Sequence, residues 1–359
     1  MKLVMTLLAH DEADVVDAQV AFHLNAGVDL VIATDHRSSD ETTEILERYA
    51  REGHVLLIRE QREEFLESEF ITRMARLAAR EHGADWVINS ATDEFWWPRD
   101  GDLKSVLALI PSRYSVVQAV IRNFVPRPDD RGFFSERMTV RLTMQAPIND
   151  PASPWRSYSK MIHRGDPSVT VGRGDHHVAF EGSVVPLRGW YPVEVLHFGV
   201  RSVAQCAKKA ASMQRAFSSR GSGPGTGYHA NAYRALAEGR VDDYYAALAV
   251  DDDDVARGIA DGTLTVDTRL RDVVRALRDP SGAFVVSQGT PTVRFPTPTI
   301  VEDAAYAVEV AVLGEADLVR LRRDLDDLEG RLGRLERRPS ARLRRFVVRA
   351  ARRLSGRRS

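Results

Sequence analysis

An α/β fold built around a parallel sheet is predicted by three features of this 359-residue sequence. Apolar, strand-like runs alternate with helical stretches through the N-terminal third, joined by loops of ordinary length. Glycines close the helical stretches at Gly27, Gly53 and Gly83. Acidic residues follow the strands at Asp11, Asp35 and Asp93. Right-handed crossovers would place all three loops along one edge of the sheet, where ligands of such folds gather.

The elements follow in order. Lys2 to Ala9 reads as a fully buried strand and runs into His10-Asp11-Glu12-Ala13-Asp14, whose acidic residues suit a helix start. Because no small-residue cleavage site follows, this run is read as a strand rather than a signal peptide. Val15, Val16, Ala18, Phe22, Leu24 and Ala26 support the first helix. Asp29 to Thr34 is a second strand, and Asp35-His-Arg-Ser38-Ser39-Asp40 its loop. Ser39 or Asp40 can cap a helix over 41–51. His54 to Ile58 is a third strand, Phe65 to His82 a third helix, and Asp85 to Asn89 a fourth strand. Asp93 and Glu94 lie just past its end, before three aromatics, Phe95, Trp96 and Trp97. Adjacent carboxylates at a strand end can hold a hard divalent cation, and the cation a diphosphate. They can equally cap a helix or face solvent.

Composition narrows the class. A single cysteine, Cys206, excludes an intramolecular disulfide framework and fits a reducing compartment. No apolar run approaches the roughly 18 residues that a membrane span needs. Neither a Gly-x-Gly-x-x-Gly fingerprint nor a Walker loop follows a strand. The formal net charge of −1 hides an asymmetry: from Arg337 to Ser359 there are ten arginines and no acidic residue.

Four stretches carry a family resemblance: Leu8-Ala-His-Asp-Glu-Ala-Asp-Val-Val16, Ala26-Gly-Val-Asp29, Thr34-Asp-His-Arg-Ser-Ser-Asp-Glu-Thr42, and Trp86-Val-Ile-Asn-Ser-Ala-Thr-Asp-Glu-Phe-Trp. In this order they resemble the family 2 glycosyltransferases of the GT-A fold, in particular the bacterial branch with a first loop of the Asp-Glu-Ala-Asp type. A weaker likeness continues through Gly174-Asp-His-His-Val178 and Leu196-His-Phe-Gly-Val-Arg-Ser202. The resemblance implies a GT-A (Rossmann-like) mixed sheet with flanking helices. It also implies a metal-assisted transfer of sugar from a nucleotide-sugar donor, with Mn2+ or Mg2+ as cofactor. Asp11, Glu12 and Asp35 would hold the nucleoside, with Ser38, Ser39 and Asp40 shaping the loop. Asp93 would match the second aspartate of the Asp-x-Asp metal motif, whose first aspartate falls on Ala91 here. Glu94 is the candidate replacement. A catalytically impaired GT-A domain kept as a scaffold and a nucleotidyltransferase are the alternative functions.

The second half should supply the acceptor side. Leu103 to Ile110 reads as a short helix, and Tyr114 to Asn123 and Arg137 to Met144 as β-rich runs. Arg127 to Gly132 and Ala146 to Trp155 are loop-like. An inverting transfer needs a general base for the acceptor hydroxyl, and Glu181 or Asp175 could provide it. His197 ends a strand and is a candidate metal ligand or phosphate contact; His176 and His177 are further candidates. A zinc site from His176, His177, His197 and Cys206 lacks paired-ligand spacing. Arg201, Lys208 and Lys209 could meet a diphosphate, although the lysines read better as a solvated helix face.

The remainder is appendage. Arg220 to Gly227 reads as a flexible linker or mobile loop. Helical spacing runs over Asn231 to Leu248 and Arg269 to Leu277; Asp251 to Asp254 reads as solvated surface, and Asp279 to Pro298 as irregular. Leu318, Leu321, Leu325, Leu328, Leu332 and Leu335 form three leucine heptads, which suit a coiled coil or a helix packed on its own domain. The arginine-rich tail, with Leu343, Phe346, Val347, Ala350 and Leu354, suits an anionic membrane surface better than nucleic acid. The expected organisation is a glycosyltransferase domain over 1–219, a helical and irregular extension over 220–312, a coiled coil over 313–338 and a basic tail over 339–359. Expected partners are a nucleotide-sugar donor, a glycan or lipid-linked acceptor, further copies through the coiled coil, and anionic lipid, with no nucleic acid. The expected location is the cytoplasm, with peripheral attachment at the inner membrane face.

Overall fold

Residues 1–144, 155, 159–182, 184–187, 190–219 and 228–287 are described by the computed structural model, with single positions at 292, 293, 295, 296, 304, 307, 308, 322, 325, 326 and 328. Met1–Asp303 and Ala304–Ser359 form separate units. The 220–227 stretch, all of 146–154, nearly all of the leucine heptads and the arginine-rich tail lie outside the described residues. Among the described residues no helix is long and apolar enough to cross a membrane.

The N-terminal alternation folds as its apolar pattern dictates. β1 (Leu3–Ala9), α1 (Val16–Asn25), β2 (Leu30–His36), α2 (Thr42–Arg51), β3 (Val55–Glu60), α3 (Glu67–Arg80) and β4 (Trp86–Ala91) follow one another. Their strands are parallel, in the spatial order β3-β2-β1-β4. Both faces of β1 are covered, which is why the strand reads as a continuous apolar run. Leu3, Met5 and Leu7 pack with Val20 and Phe22 of α1, whereas Val4 joins Ile71, Met74 and Ala78 of α3. Gly53 and Gly83, which follow α2 and α3, take φ of +81° and +61°, a region L side chains avoid.

Beyond β4 the sheet is mixed rather than parallel. β5 (Glu94–Pro98), α4 (Leu103–Ala108), β6 (Val116–Asn123), α5 (Phe134–Arg137), β7 (Val140–Leu142) and β8 (Ser159–Arg164) come next. β9 (Thr170–Val171), β10 (Val178–Ala179), β11 (Pro186–Leu187) and β12 (Val193–His197) complete this part. The main path continues β4-β8-β6-β12-β5, with β8 antiparallel to both neighbours, β12 parallel to β6, and β5 antiparallel to β12. β11 adds to β6. The aromatics after Glu94 are thus the body of β5, with Phe95, Trp96 and Trp97 all buried.

Two local expectations are corrected. The run over 137–144 yields only the short β7, because Phe134 and Met138, four apart and both buried, wind the chain before it into a helical turn. α6 (Val203–Ser219), α7 (Tyr228–Ala237) and α8 (Val241–Leu248) follow, so the helical spacing over 231–248 is divided, at Gly239 with φ of +68°. The aspartates over 251–253 are exposed, as expected, and they also start α9 (Asp252–Ala260): Asp251 accepts from the Asp254 amide at 2.8 Å in a reciprocal capping box. β13 (Leu264–Val266) pairs with β7, and α10 (Arg269–Ala276) follows. In the irregular stretch after it, Phe295 packs edge-on against Trp97 with ring centroids 4.7 Å apart.

Candidate active site

The parallel register sets the three acidic loops level. Ala9 lies beside Asp35, and Leu8 beside Ala91, so the chains leaving β1, β2 and β4 emerge at one sheet edge. The first two loops are tied to each other. Asp11 accepts from the Ser39 amide at 2.6 Å and its hydroxyl at 3.1 Å, and the Asp11 amide donates to Ser38 Oγ at 3.1 Å. The Glu12 amide donates to Thr42 Oγ1 at 2.8 Å. Asp35 is buried, one oxygen accepting from the Ser38 amide and hydroxyl and the other from the Thr43 hydroxyl. Asp40 accepts from the Thr42 amide at 3.1 Å, so it, and not Ser39, meets the start of α2. Among the described residues the non-glycine positions with positive φ are Asp11 and Arg37, in the first two of these loops, and Asp175, at the end of a 3-10 turn over Arg173–Asp175. Left-handed non-glycine backbone persists where surrounding contacts over-determine it, and it clusters at functional sites.

The antiparallel half then delivers His197. It pairs with Glu94 across β12–β5 and with Asn123 across β12–β6. Asp93 is held in the β4–β5 turn, where its carbonyl accepts from the Phe198 amide at 2.9 Å. One donor atom each from Asp93, Glu94 and His197 lies within 4.8 Å of the others, a group that could hold a metal ion. His197 Nδ1 faces Asn123 Oδ1 at 2.7 Å, an acceptor that fixes the proton on Nδ1 and leaves Nε2 its lone pair. Burial lowers the His197 pKa, which keeps the ring neutral as a ligand must be. Gly199 makes room for it: a Cβ there would stand 2.7 Å from the imidazole Cε1. These donors, two carboxylates and one neutral imidazole, fit a divalent cation such as Mg2+ or Mn2+.

Cationic side chains fill the rest. Arg201, fully buried, donates through Nε to Asp14 at 2.6 Å, pairs through Nη2 with Glu12, and stands 3.8 Å from Asp93 Oδ2 through Nη1. It is a clamp between the first and third acidic loops, not a group open to a diphosphate. Lys209 Nζ lies 2.8 Å from Asp93 Oδ2, and Lys208 Nζ lies 2.8 Å from Asp40. The solvated-face reading is therefore wrong for Lys209, because α6 turns this position inward. Burial opposes the Asp93 charge, but the Lys209 ammonium and the Arg201 guanidinium hold its carboxyl far below the usual range. Burial raises the Glu12 carboxyl despite Arg201.

A second cluster adjoins the first through Glu94. Lys160 Nζ is 2.7 Å from Glu94 Oε1 and 3.8 Å from Asp175 Oδ2, with all three residues buried. Asp175 Oδ1 is buried without a hydrogen-bond partner among the described residues. Burial pushes the Asp175 carboxyl up to about 7, against the opposing field of Lys160. Glu94 Oε2 accepts from the Ala91 amide at 3.1 Å, so its carboxylate reaches back to the position of the missing aspartate.

The remaining candidates stand apart. Glu181 is exposed, and its amide donates to Ser168 Oγ at 3.1 Å. His177 is exposed, and His176 Nδ1 lies 3.1 Å from the Ser159 carbonyl oxygen. Neither histidine joins His197 and Cys206 in a metal group among the described residues. The Cys206 thiol is raised to about 11 by burial, unsuited to a metal thiolate. Lys160 and Asn123 escaped the sequence reading, although a lysine inside the apolar strand Ser159-Lys-Met-Ile-His163 is the kind of inward charge that signals a buried partner.

No protein-family model matches the sequence, and no curated protein matches it. Among solved structures the chain is similar to Staphylococcus aureus TarS, residues 1–349, at 12% identity over 70% of this chain and 84% of that one, with a TM-score of 0.30. The same protein in complex with UDP-GlcNAc gives 12% identity, 66% and 71% coverage and a TM-score of 0.33. Glucosyl-3-phosphoglycerate synthase from Mycobacterium tuberculosis, in complex with Mn2+, UDP and glucosyl-3-phosphoglycerate, gives 16% identity, 35% and 44% coverage and a TM-score of 0.23. All three scores lie below 0.5, and the function assigned to this chain rests on its own residues.

Proposed function

We propose that this chain is a metal-assisted glycosyltransferase of the GT-A type, taking a sugar from a nucleotide-sugar donor to a glycan or lipid-linked acceptor. The observation that carries this reading is the convergence of Asp93, Glu94 and His197 at the sheet edge where the loops of Asp11 and Asp35 also end. The loops after β1 and β2 form the nucleoside side, with Asp35, Ser38 and Asp40 acting as positioning residues through their mutual hydrogen bonds. Asp93, Glu94 and His197 would hold the divalent cation, which supplies Lewis-acid charge to the leaving diphosphate. Glu94 serves in place of the aspartate absent at position 91, its carboxylate bonded to that residue's amide. Arg201 keeps the first loop and Asp93 in fixed relation, so the site is preorganised rather than assembled on binding.

Asp175 is the better-supported general base. It is buried beside Glu94 through Lys160, carries an unpartnered oxygen and titrates near neutrality, where proton transfer is most effective. Glu181 is exposed, so it is set aside. The test is release of nucleoside diphosphate from a panel of nucleotide sugars with manganese or magnesium. Wild-type protein should release it and Asp93→Asn should not; equal release by both would refute the assignment.

A further inference from the structure

Lys209 competes for an atom that the proposed cation needs. Its Nζ lies 2.8 Å from Asp93 Oδ2 and 3.4 Å from the Gly199 carbonyl oxygen. The same Oδ2 lies 3.8 Å from His197 Nε2 and 3.8 Å from Arg201 Nη1, so it faces the centre of the cluster. Divalent cations bond carboxylate oxygens at about 2.0–2.6 Å. An ion and an ammonium sharing Oδ2 would thus stand a few ångströms apart as like charges in a site with little water to screen them. The two lysines of the cluster differ in what they can do about this. Lys160 keeps a second carboxylate, Asp175, on its other side. Among the described residues Lys209 has a neutral carbonyl as its other hydrogen-bond partner, the Glu12 carboxylate acting on it without a hydrogen bond, and a four-carbon stem that can swing.

Resting on the glycosyltransferase reading, we propose that Lys209 is a displaceable counter-ion. It holds Asp93 in the metal-free protein and leaves Asp93 when a divalent cation binds. The donor's diphosphate then offers the released ammonium a new partner, so cation and diphosphate bind best together. The cation alone must displace Lys209 without that compensation. The resulting coupling is reciprocal: whatever factor the diphosphate adds to cation affinity, the cation adds to diphosphate affinity.

The test uses full-length protein, manganese alone and inorganic pyrophosphate, with no turnover required. Free manganese is followed by electron paramagnetic resonance. Lys209→Met should bind manganese about tenfold or more tightly than wild type, since a unit charge beside a divalent ion has been removed. Lys208→Met makes the same charge change one residue away, at the Asp40 pair, and should stay within about twofold of wild type. Pyrophosphate should strengthen manganese binding less in Lys209→Met than in wild type. In wild-type protein, amine acylation read by mass spectrometry should rise at Lys209, and not at Lys208, when manganese is added; this arm holds even if the variant fails to fold. Equal or weaker manganese binding by folded Lys209→Met, or acylation of Lys209 indifferent to manganese, overturns the proposal. Absence of manganese binding in both proteins, with nucleotide-sugar binding intact, also overturns it and leaves the glycosyltransferase reading standing. Absence of nucleotide-sugar binding overturns that reading instead.

Discussion

Replacing Arg201 by methionine should destabilise the first unit mainly through Glu12. The guanidinium is fully buried and spans Glu12, Asp14 and Asp93. Its two firm ion pairs are not equal. The Asp14 side chain is 45% exposed, so water screens that pair and its loss costs about 0–1 kcal/mol. The Glu12 side chain is only 14% exposed. Removing one partner of a buried pair leaves an uncompensated charge at a cost of about 3–5 kcal/mol. The expected loss is therefore about 3–5 kcal/mol, which lowers the melting temperature by roughly 6–10 °C at about 2 °C per kcal/mol for a unit of this size. The loss should shrink on acidification. Burial already raises the Glu12 carboxyl, and removing Arg201 raises it further. A carboxyl whose folded pKa exceeds its unfolded value binds more protons in the folded state, so its contribution falls as pH rises between the two values. Chemical denaturation in EDTA at pH 5 and pH 7.5 reads both effects. A loss below about 1 kcal/mol at pH 7.5, or a loss that grows on acidification, would refute the account of Arg201 as the clamp between the acidic loops.

Further expectations follow from the same geometry. Asp175→Asn should lower transfer by about 10²–10⁴-fold, the range for a general base. It should also abolish a rise in rate through pH of about 7, the value to which burial brings Asp175, and an unchanged pH–rate profile would remove Asp175 from the reaction. Gly199→Ala would push on the His197 ring from 2.7 Å; calorimetry should show weaker manganese binding with little change in melting temperature. Gly165→Ala would set a Cβ 1.8 Å from the Ala84 carbonyl oxygen, a clash with backbone that no side-chain rotation relieves. It should cost at least about 1–3 kcal/mol in denaturant unfolding, far from the site. His23 and His163 are buried, and burial lowers each to about 4. Their contribution is present above the unfolded value near 6.5 and is lost as pH falls towards 4, so urea midpoints should drop across that interval.

Sequence made the first four strands legible because each is buried on both faces or bounded by a glycine stop, signals that are local. The acidic edge followed from topology alone, and the resemblance named Asp93, Glu94 and His197, which the structure brings together. The cations were harder to read. Lys209 meets Asp93 only because α6 returns over the sheet edge, and Lys160 meets Glu94 only because β8 runs antiparallel between β4 and β6. Such contacts depend on pairings of high sequence separation that no local spacing encodes. β5 was missed for a related reason: Phe95, Trp96 and Trp97 are all buried, so the strand shows no alternation to detect.

The central claim, a cation-assisted nucleotide-sugar site at Asp93, is tested most directly by binding. Thermal unfolding of wild type and Asp93→Asn should be compared with nucleotide sugars in the presence of manganese, magnesium or EDTA. A ligand at 100 times its dissociation constant adds about 2.7 kcal/mol of apparent stability. The account predicts a shift of that order for wild type with at least one donor and a divalent cation, and its loss in EDTA and in Asp93→Asn. No shift with any donor, or the same metal-dependent shift in Asp93→Asn, would contradict it.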